Sequence, residues 1–191
     1  MSTKIIVTLC VIVVLIFVGG VYFLSGNNSI FNSTNDNAQS VFKANKVENF
    51  GKQSNTQAKP GYKKYTHPNL NFSFEYPDEY IVGSFEENDG EIILVQDKDK
   101  NGGVQLFVTN YDESSTDLTL ERIKQDNPDM VITAQKYVDL GATKAIYFQS
   151  TTGDKATHEF WFIYQNKLFQ LTASIENGGL MESIISSLSS N

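Results

Sequence analysis

The run Asp97-Lys98-Asp99-Lys100-Asn101-Gly102-Gly103 places side-chain oxygens at alternate positions, Asp97, Asp99 and Asn101, ahead of a glycine pair. Hard oxygen donors at this spacing, with glycine permitting a sharp turn, form the first half of a calcium loop. The second half is lacking, because the twelfth position is Val108 where a bidentate Glu would complete the coordination. A charged hairpin turning at Asn-Gly is the simpler reading. Calcium held by Asp97, Asp99 and Asn101 is therefore an alternative expectation, and no other cofactor is expected.

Acid–base and nucleophilic chemistry has little material. The only histidines are His67 and His158, and the single cysteine, Cys10, lies within a long apolar run. Thiol catalysis and structural disulfides are thereby excluded from the rest of the chain. His158-Glu159 begins like the helix of a zinc protease, but Phe162 stands where the second His ligand would be, and the surrounding aromatics alternate as in a strand. His158 is expected to be an ordinary strand residue and His67, before Pro68, a surface loop residue. Carboxylates cluster at Glu86, Glu87, Asp89 and Glu91 and again at Asp112-Glu113. Paired carboxylates can catalyse hydrolysis, yet hydrophilic loops do not shift their proton affinities as that work requires. A hydrolase ranks third among the functional readings. Trp161 points to the opposite strand face from Phe160, Phe162 and Tyr164. If nothing covers that face, it is an exposed partner-binding anchor of the kind enriched at binding hot spots.

The elements that would hold these residues follow from periodicity. Leu70, Phe72, Phe74 and Tyr76 alternate with polar residues, which predicts a half-buried strand ending at the Pro77-Asp78 turn. Further strands are predicted at Tyr80–Phe85, Ile92–Val95, Val104–Thr109, Val131–Val138, Ala145–Phe148, His158–Tyr164 and Leu168–Ile175. Leu118, Leu120 and Ile123 mark a short helix capped by Asp117 or Thr119. Leu180, Ile184 and Leu188 recur at helical spacing and predict an amphipathic C-terminal helix. Two runs of strands, each followed by a helix, argue for an α+β domain with a mainly antiparallel sheet covered by helices.

This domain is expected to span residues 62–191, after two segments of different character. Ile5 to Leu24 carries no charge and is long enough, at about 1.5 Å per helical residue, to cross the hydrocarbon core of a bilayer. Lys4 precedes it, and the next basic residue is Lys43, so the N-terminus (residues 1–24) is expected to be a cytoplasmic-end anchor with the domain extracytoplasmic. A secreted protein released by signal cleavage is the alternative, with Val18-Gly20 or Leu24-Gly26 as poor cleavage sites. Residues 25–61, rich in Asn, Ser, Gln and Thr, cannot bury enough apolar surface to fold alone and read as a flexible tether. A short membrane-lying helix over Val41–Phe50 is a weaker alternative.

From Tyr62 to Asn191 there are ten Lys or Arg against twenty Asp or Glu, a net of about −10 with ordinary side-chain charges. That balance disfavours nucleic acid and anionic lipid as partners of the domain. The tether is opposite in sign, with Lys43, Lys46, Lys52 and Lys59 outnumbering Asp36 and Glu48.

The segment YTHPNLNFSFEYPDEY from Tyr65 to Tyr80 resembles the opening of PsbP-like domains, in which an alternating strand ends in Tyr-Pro and a short acidic turn. LTLERIKQD from Leu118 and EFWFIYQNKLFQLTAS from Glu159 also resemble that family, so the likeness spans roughly Tyr62 to Ser187. The resemblance implies an α-β-α sandwich on an antiparallel sheet, used mostly by proteins that bind other proteins or assist assemblies, and it implies no single activity. Photosynthetic members act at the oxygen-evolving complex in the thylakoid lumen. This chain has an anchor and an Asn-rich tether in place of a lumenal targeting sequence, so the fold is carried over and that role is not. The expectation is a non-enzymatic, membrane-tethered protein-binding or envelope-assembly module.

Overall fold

The computed structural model describes residues 46, 47, 50, 57–98, 102–113, 118–152 and 155–190. The Ile5–Leu24 anchor, most of the tether, Asp117, and both Asp99 and Asn101 lie outside the described residues. Among the described residues no helix is long and apolar enough to cross a membrane.

Among the described residues there are ten strands: β1 (Tyr62–Thr66), β2 (Phe72–Pro77), β3 (Tyr80–Glu87), β4 (Gly90–Asp97), β5 (Gly103–Asn110), β6 (Val131–Asp139), β7 (Lys144–Thr152), β8 (Lys155–Tyr164), β9 (Lys167–Ser174) and β10 (Ser189–Ser190). Among the same residues two short α-helices, α1 (Leu120–Asp126) and α2 (Gly178–Ser186), interrupt them. β3 to β9 form a seven-stranded antiparallel sheet in the order β3-β4-β5-β9-β8-β7-β6, and β1, β2 and β10 form a second, three-stranded sheet.

Local chemistry explains the joints. Gln165 and Asn166 both have positive φ, 49° and 57°, as a two-residue hairpin between β8 and β9 requires. Gly103 opens β5 where a Cβ would sit 2.1 Å from the Val95 carbonyl oxygen, so only glycine fits against β4. Of the two expected caps of α1, Thr119 is seen to serve, its Oγ1 accepting from the Arg122 N–H at 3.2 Å.

Because side chains alternate across a strand, the large sheet buries two apolar faces. On one, Phe72 and Phe74 of β2 and Met181, Ile184 and Ile185 of α2 cover Ile93, Leu106, Phe160, Phe162 and Leu171. On the other, Leu118 and Ile123 lie with Ile146, Phe148, Trp161 and Ile163. The layers are thus short helix, sheet, then helix with small sheet.

Three expectations change. The strand predicted from Leu70 is β2 and begins at Phe72, since residues 67–70 form a turn closed by the His67 N–H bond to the Phe72 carbonyl. The chain does not finish on α2: Ser189 and Ser190 pair with Ser73 and Phe72, and the Ser73 and Ser189 hydroxyls are 2.7 Å apart. Such a two-residue strand has no periodicity to detect. Within the expected tether, Val47 and Phe50 belong to the core, each 2% exposed. Val47 donates its N–H to the Asp139 carbonyl at 2.9 Å, Lys46 makes a parallel bridge to Asp139, and Phe50 packs edge-on against Phe162 and Tyr164 at 5.3 and 4.8 Å. The bridge is extended backbone, so the helix considered over Val41–Phe50 does not include Lys46.

Candidate functional site

The β1–β2 turn and the β3–β4 hairpin enclose an open cavity of about 220 Å³, lined by His67, Glu86, Asp89, Glu91 and Lys167 among others. His67 is not the surface residue expected but 4% exposed. Its turn folds back so that the ring stacks on Phe72 at 5.0 Å, with Tyr65 edge-on at 6.2 Å. Nδ1 accepts the backbone N–H groups of Asn69 and Leu70 at 3.1 and 2.9 Å. The ring proton is consequently on Nε2, which donates to Glu91 Oε2 at 2.8 Å. Both nitrogens are engaged, so the imidazole has no lone pair for a metal or a substrate proton. It fixes the Glu91 carboxylate at the cavity wall. Lys167 at the rim donates to Asn110 Oδ1 at 2.6 Å.

His158 is the strand residue expected, buried on the α2 side of β8, with Nδ1 2.6 Å from the Tyr147 hydroxyl. Burial lowers its pKa from the ordinary 6.5, against a hydrogen bond to the Ile175 backbone that raises it. Burial also raises the Tyr147 phenol, which therefore keeps its proton.

Trp161 does not reach the surface. The segment carrying Leu118 and Ile123 covers its face of the sheet, leaving it 4% exposed with Phe148 edge-on at 5.4 Å. Beside it lies a group that sequence reasoning missed, Glu159, also 4% exposed. Thr157 and Ser150 hydroxyls donate to its Oε1 at 2.7 and 3.3 Å, and Thr172 and the Trp161 indole donate to Oε2 at 2.7 and 3.0 Å. Desolvation pushes this carboxyl above its ordinary value, while those four hydrogen bonds pull it down. The signal was available as parity: Glu159 alternates in step with Trp161 and Ile163, which puts an acid on an apolar face.

Asp97 ends β4 and closes the β4–β5 hairpin with its N–H on the Gly102 carbonyl at 3.1 Å. Its two companions in the calcium reading are outside the described residues. Among the described residues no group of three or more His, Cys, Asp or Glu is placed to hold a metal. Glu86, near the end of β3, and Asp89 and Asp112, outside the strands, are exposed, and Glu113 pairs with Arg122.

Among the described residues, the exposed large apolar side chains occupy the two edges of the sheet. Ile81 and Phe85 on β3 are 50% and 42% exposed, and Val131 and Tyr137 on β6 are 60% and 56%. Register makes Phe85 and Tyr137 the two ends of one cross-strand row running through Ile92, Phe107, Gln170, Trp161 and Ile146. Every intervening member is buried.

A mainly antiparallel sheet with short helices on opposite faces defines the class of this domain. It is PsbP-like. The solution structure of cyanobacterial PsbP (CyanoP) from Synechocystis sp. PCC 6803 matches with a TM-score of 0.51 and 12% sequence identity, over 70% of this chain and 95% of that one. At that identity the likeness is one of fold. No protein-family model matches the chain, and no curated protein sequence matches it.

Proposed function

We propose that this chain is a membrane-tethered, extracytoplasmic PsbP-like domain that acts without catalysis, as a protein-binding or envelope-assembly module. The observation that carries the reading is the edge at β3, open among the described residues, where Phe85 extends a buried apolar row into solvent and Ile81 lies exposed on the same face. Exposed apolar side chains beside unpaired strand backbone are a docking device. The uncharged run Ile5–Leu24 and the single preceding Lys4 support an anchor with its C-terminal domain outside the cytoplasm. The 67–70 cavity supports a structural role, since His67 is spent on holding Glu91 and the turn backbone.

A proximity-labelling enzyme fused to the C-terminus of the full chain tests this in intact cells. Envelope proteins should be labelled beyond those labelled by residues 1–45 fused to the same enzyme. Identical labelling by both would refute the binding role. Protease added outside should cleave the domain while sparing the N-terminus, and a fully protected domain would reverse the orientation.

A further inference from the structure

We propose that the outer edge of β3 receives an extended segment of a partner protein, carrying alternating apolar and basic residues, as an eighth strand of the large sheet. This rests on the protein-binding reading above and names its mode and the chemistry of the partner.

The two edges of the sheet are built differently. β6 is interrupted by a register shift between Thr133 and Lys136, with Ala134 at φ 51°. Lys46 and Val47 already bridge its Asp139 end. Bulges and covering segments are how proteins stop an edge from pairing further. β3 has neither device. It pairs with β4 through eight consecutive residues without a shift, and among the described residues nothing pairs with its other side. It also carries no Lys or Arg, the charges that commonly discourage edge pairing.

Side chains supply the specificity that backbone pairing lacks. Ile81, Gly83 and Phe85 share a face, and a Cβ placed on Gly83 would meet nothing within 4 Å, so a step lies open between the two apolar groups. On an added strand, one apolar side chain would fill the step at Gly83 and another, two positions along, would continue the Phe85–Ile92–Phe107 row. Charge sets direction. Glu86 and Glu87 end the strand, and Asp89 and Glu91 follow in the hairpin. At the other end Lys63 and Lys98 reach the Asp78 carbonyl at 2.8 and 3.2 Å. Basic residues of the partner therefore align with the Glu86–Glu87 end. A second copy of this domain, with the same net charge of about −10 spread over it, would be repelled.

The probe is a fluorescent peptide of alternating valine and lysine, and its control is the same peptide with a central proline, which cannot pair as a strand. Both are titrated against the full chain in nanodiscs of neutral lipid. The alternating peptide should bind, weaken with added salt, and protect β3 amides from hydrogen exchange. Ile81→Lys with Phe85→Lys should reduce its affinity by about tenfold or more. Val131→Lys with Tyr137→Lys, a change at somewhat more exposed positions on the other edge, should leave affinity intact and shows that added charge alone is tolerated. Equal binding of the proline peptide, protection at β6, or self-association abolished by Phe85→Lys would each overturn the proposal, the last by making a second copy the occupant. Proximity labelling separates this failure from that of the wider reading. Partners labelled equally by wild type and by the Ile81→Lys, Phe85→Lys chain would remove the β3 mode alone, whereas no labelling above the anchor would remove protein binding itself.

Discussion

The indole N–H of Trp161 donates to Glu159 Oε2 at 3.0 Å, two positions back along the same face of β8. The aromatic residue that an uncovered face would have made a surface anchor is a core residue that helps solvate a buried carboxyl. Glu159→Leu would strip the shared acceptor from Thr157, Thr172 and Trp161. Each orphaned buried donor costs about 1–3 kcal/mol, and rotation of the hydroxyls recovers part, so a loss of about 3 kcal/mol is expected. Glu159→Gln, which keeps an acceptor oxygen, should cost less. Denaturation followed by tryptophan fluorescence reads both, since Trp161 is the only tryptophan.

Glu159 and the neighbouring His158 should give opposing pH dependences. Unfolded, Glu159 loses its proton near the ordinary 4.5, and folded it holds that proton to higher pH. Its contribution is complete below 4.5 and is lost as pH rises toward the raised folded value. His158 has a folded value below the ordinary 6.5, so its contribution is complete above 6.5 and is lost as pH falls. Relative to wild type, Glu159→Gln should make stability rise more steeply with pH between these limits, and His158→Gln should make it fall. Parallel profiles for all three proteins would contradict the assignment.

Phe50 ties the segment before the domain to the core. Phe50→Ala should cost about 3–5 kcal/mol, as for other buried aromatics. A chain beginning at residue 44 should accordingly withstand more denaturant than one beginning at residue 62. Equal midpoints would show that the Val47 and Phe50 contacts contribute nothing.

The turn at residues 67–70 depends on one imidazole. His67→Ala would leave the Asn69 and Leu70 N–H groups without their acceptor, and Glu91 without its donor. A destabilisation of about 2 kcal/mol is expected, with faster amide exchange confined first to Asn69 and Leu70. Asn in place of His67 should restore part of the protection at those amides, because its side-chain oxygen can accept a local turn N–H.

The strand pattern was legible because alternation is a local property: Phe72, Phe74 and Tyr76 on one side and Ser73 and Glu75 on the other need no partner to be read. The helix of Leu120 and Ile123 was equally plain, although its cap stayed open between Asp117 and Thr119 until the structure showed Thr119 serving. Glu159 was missed although its parity was in view, since an acid in an aromatic strand is ordinarily assigned to the wet side. His67 was misplaced because its burial depends on the turn that it organises, through contacts with Glu91, 24 positions away.

Composition and periodicity alone determined an apolar N-terminal run, a polar segment of opposite charge to an acidic domain, and a mainly antiparallel sheet with two helices. Only the tertiary structure decided that β3 is, among the described residues, an open edge while β6 is bulged and capped, that Trp161 is covered, and that Val47 and Phe50 are core. Periodicity states which face of a strand is apolar. What covers that face, and which strand lies beside it, depends on contacts between distant residues.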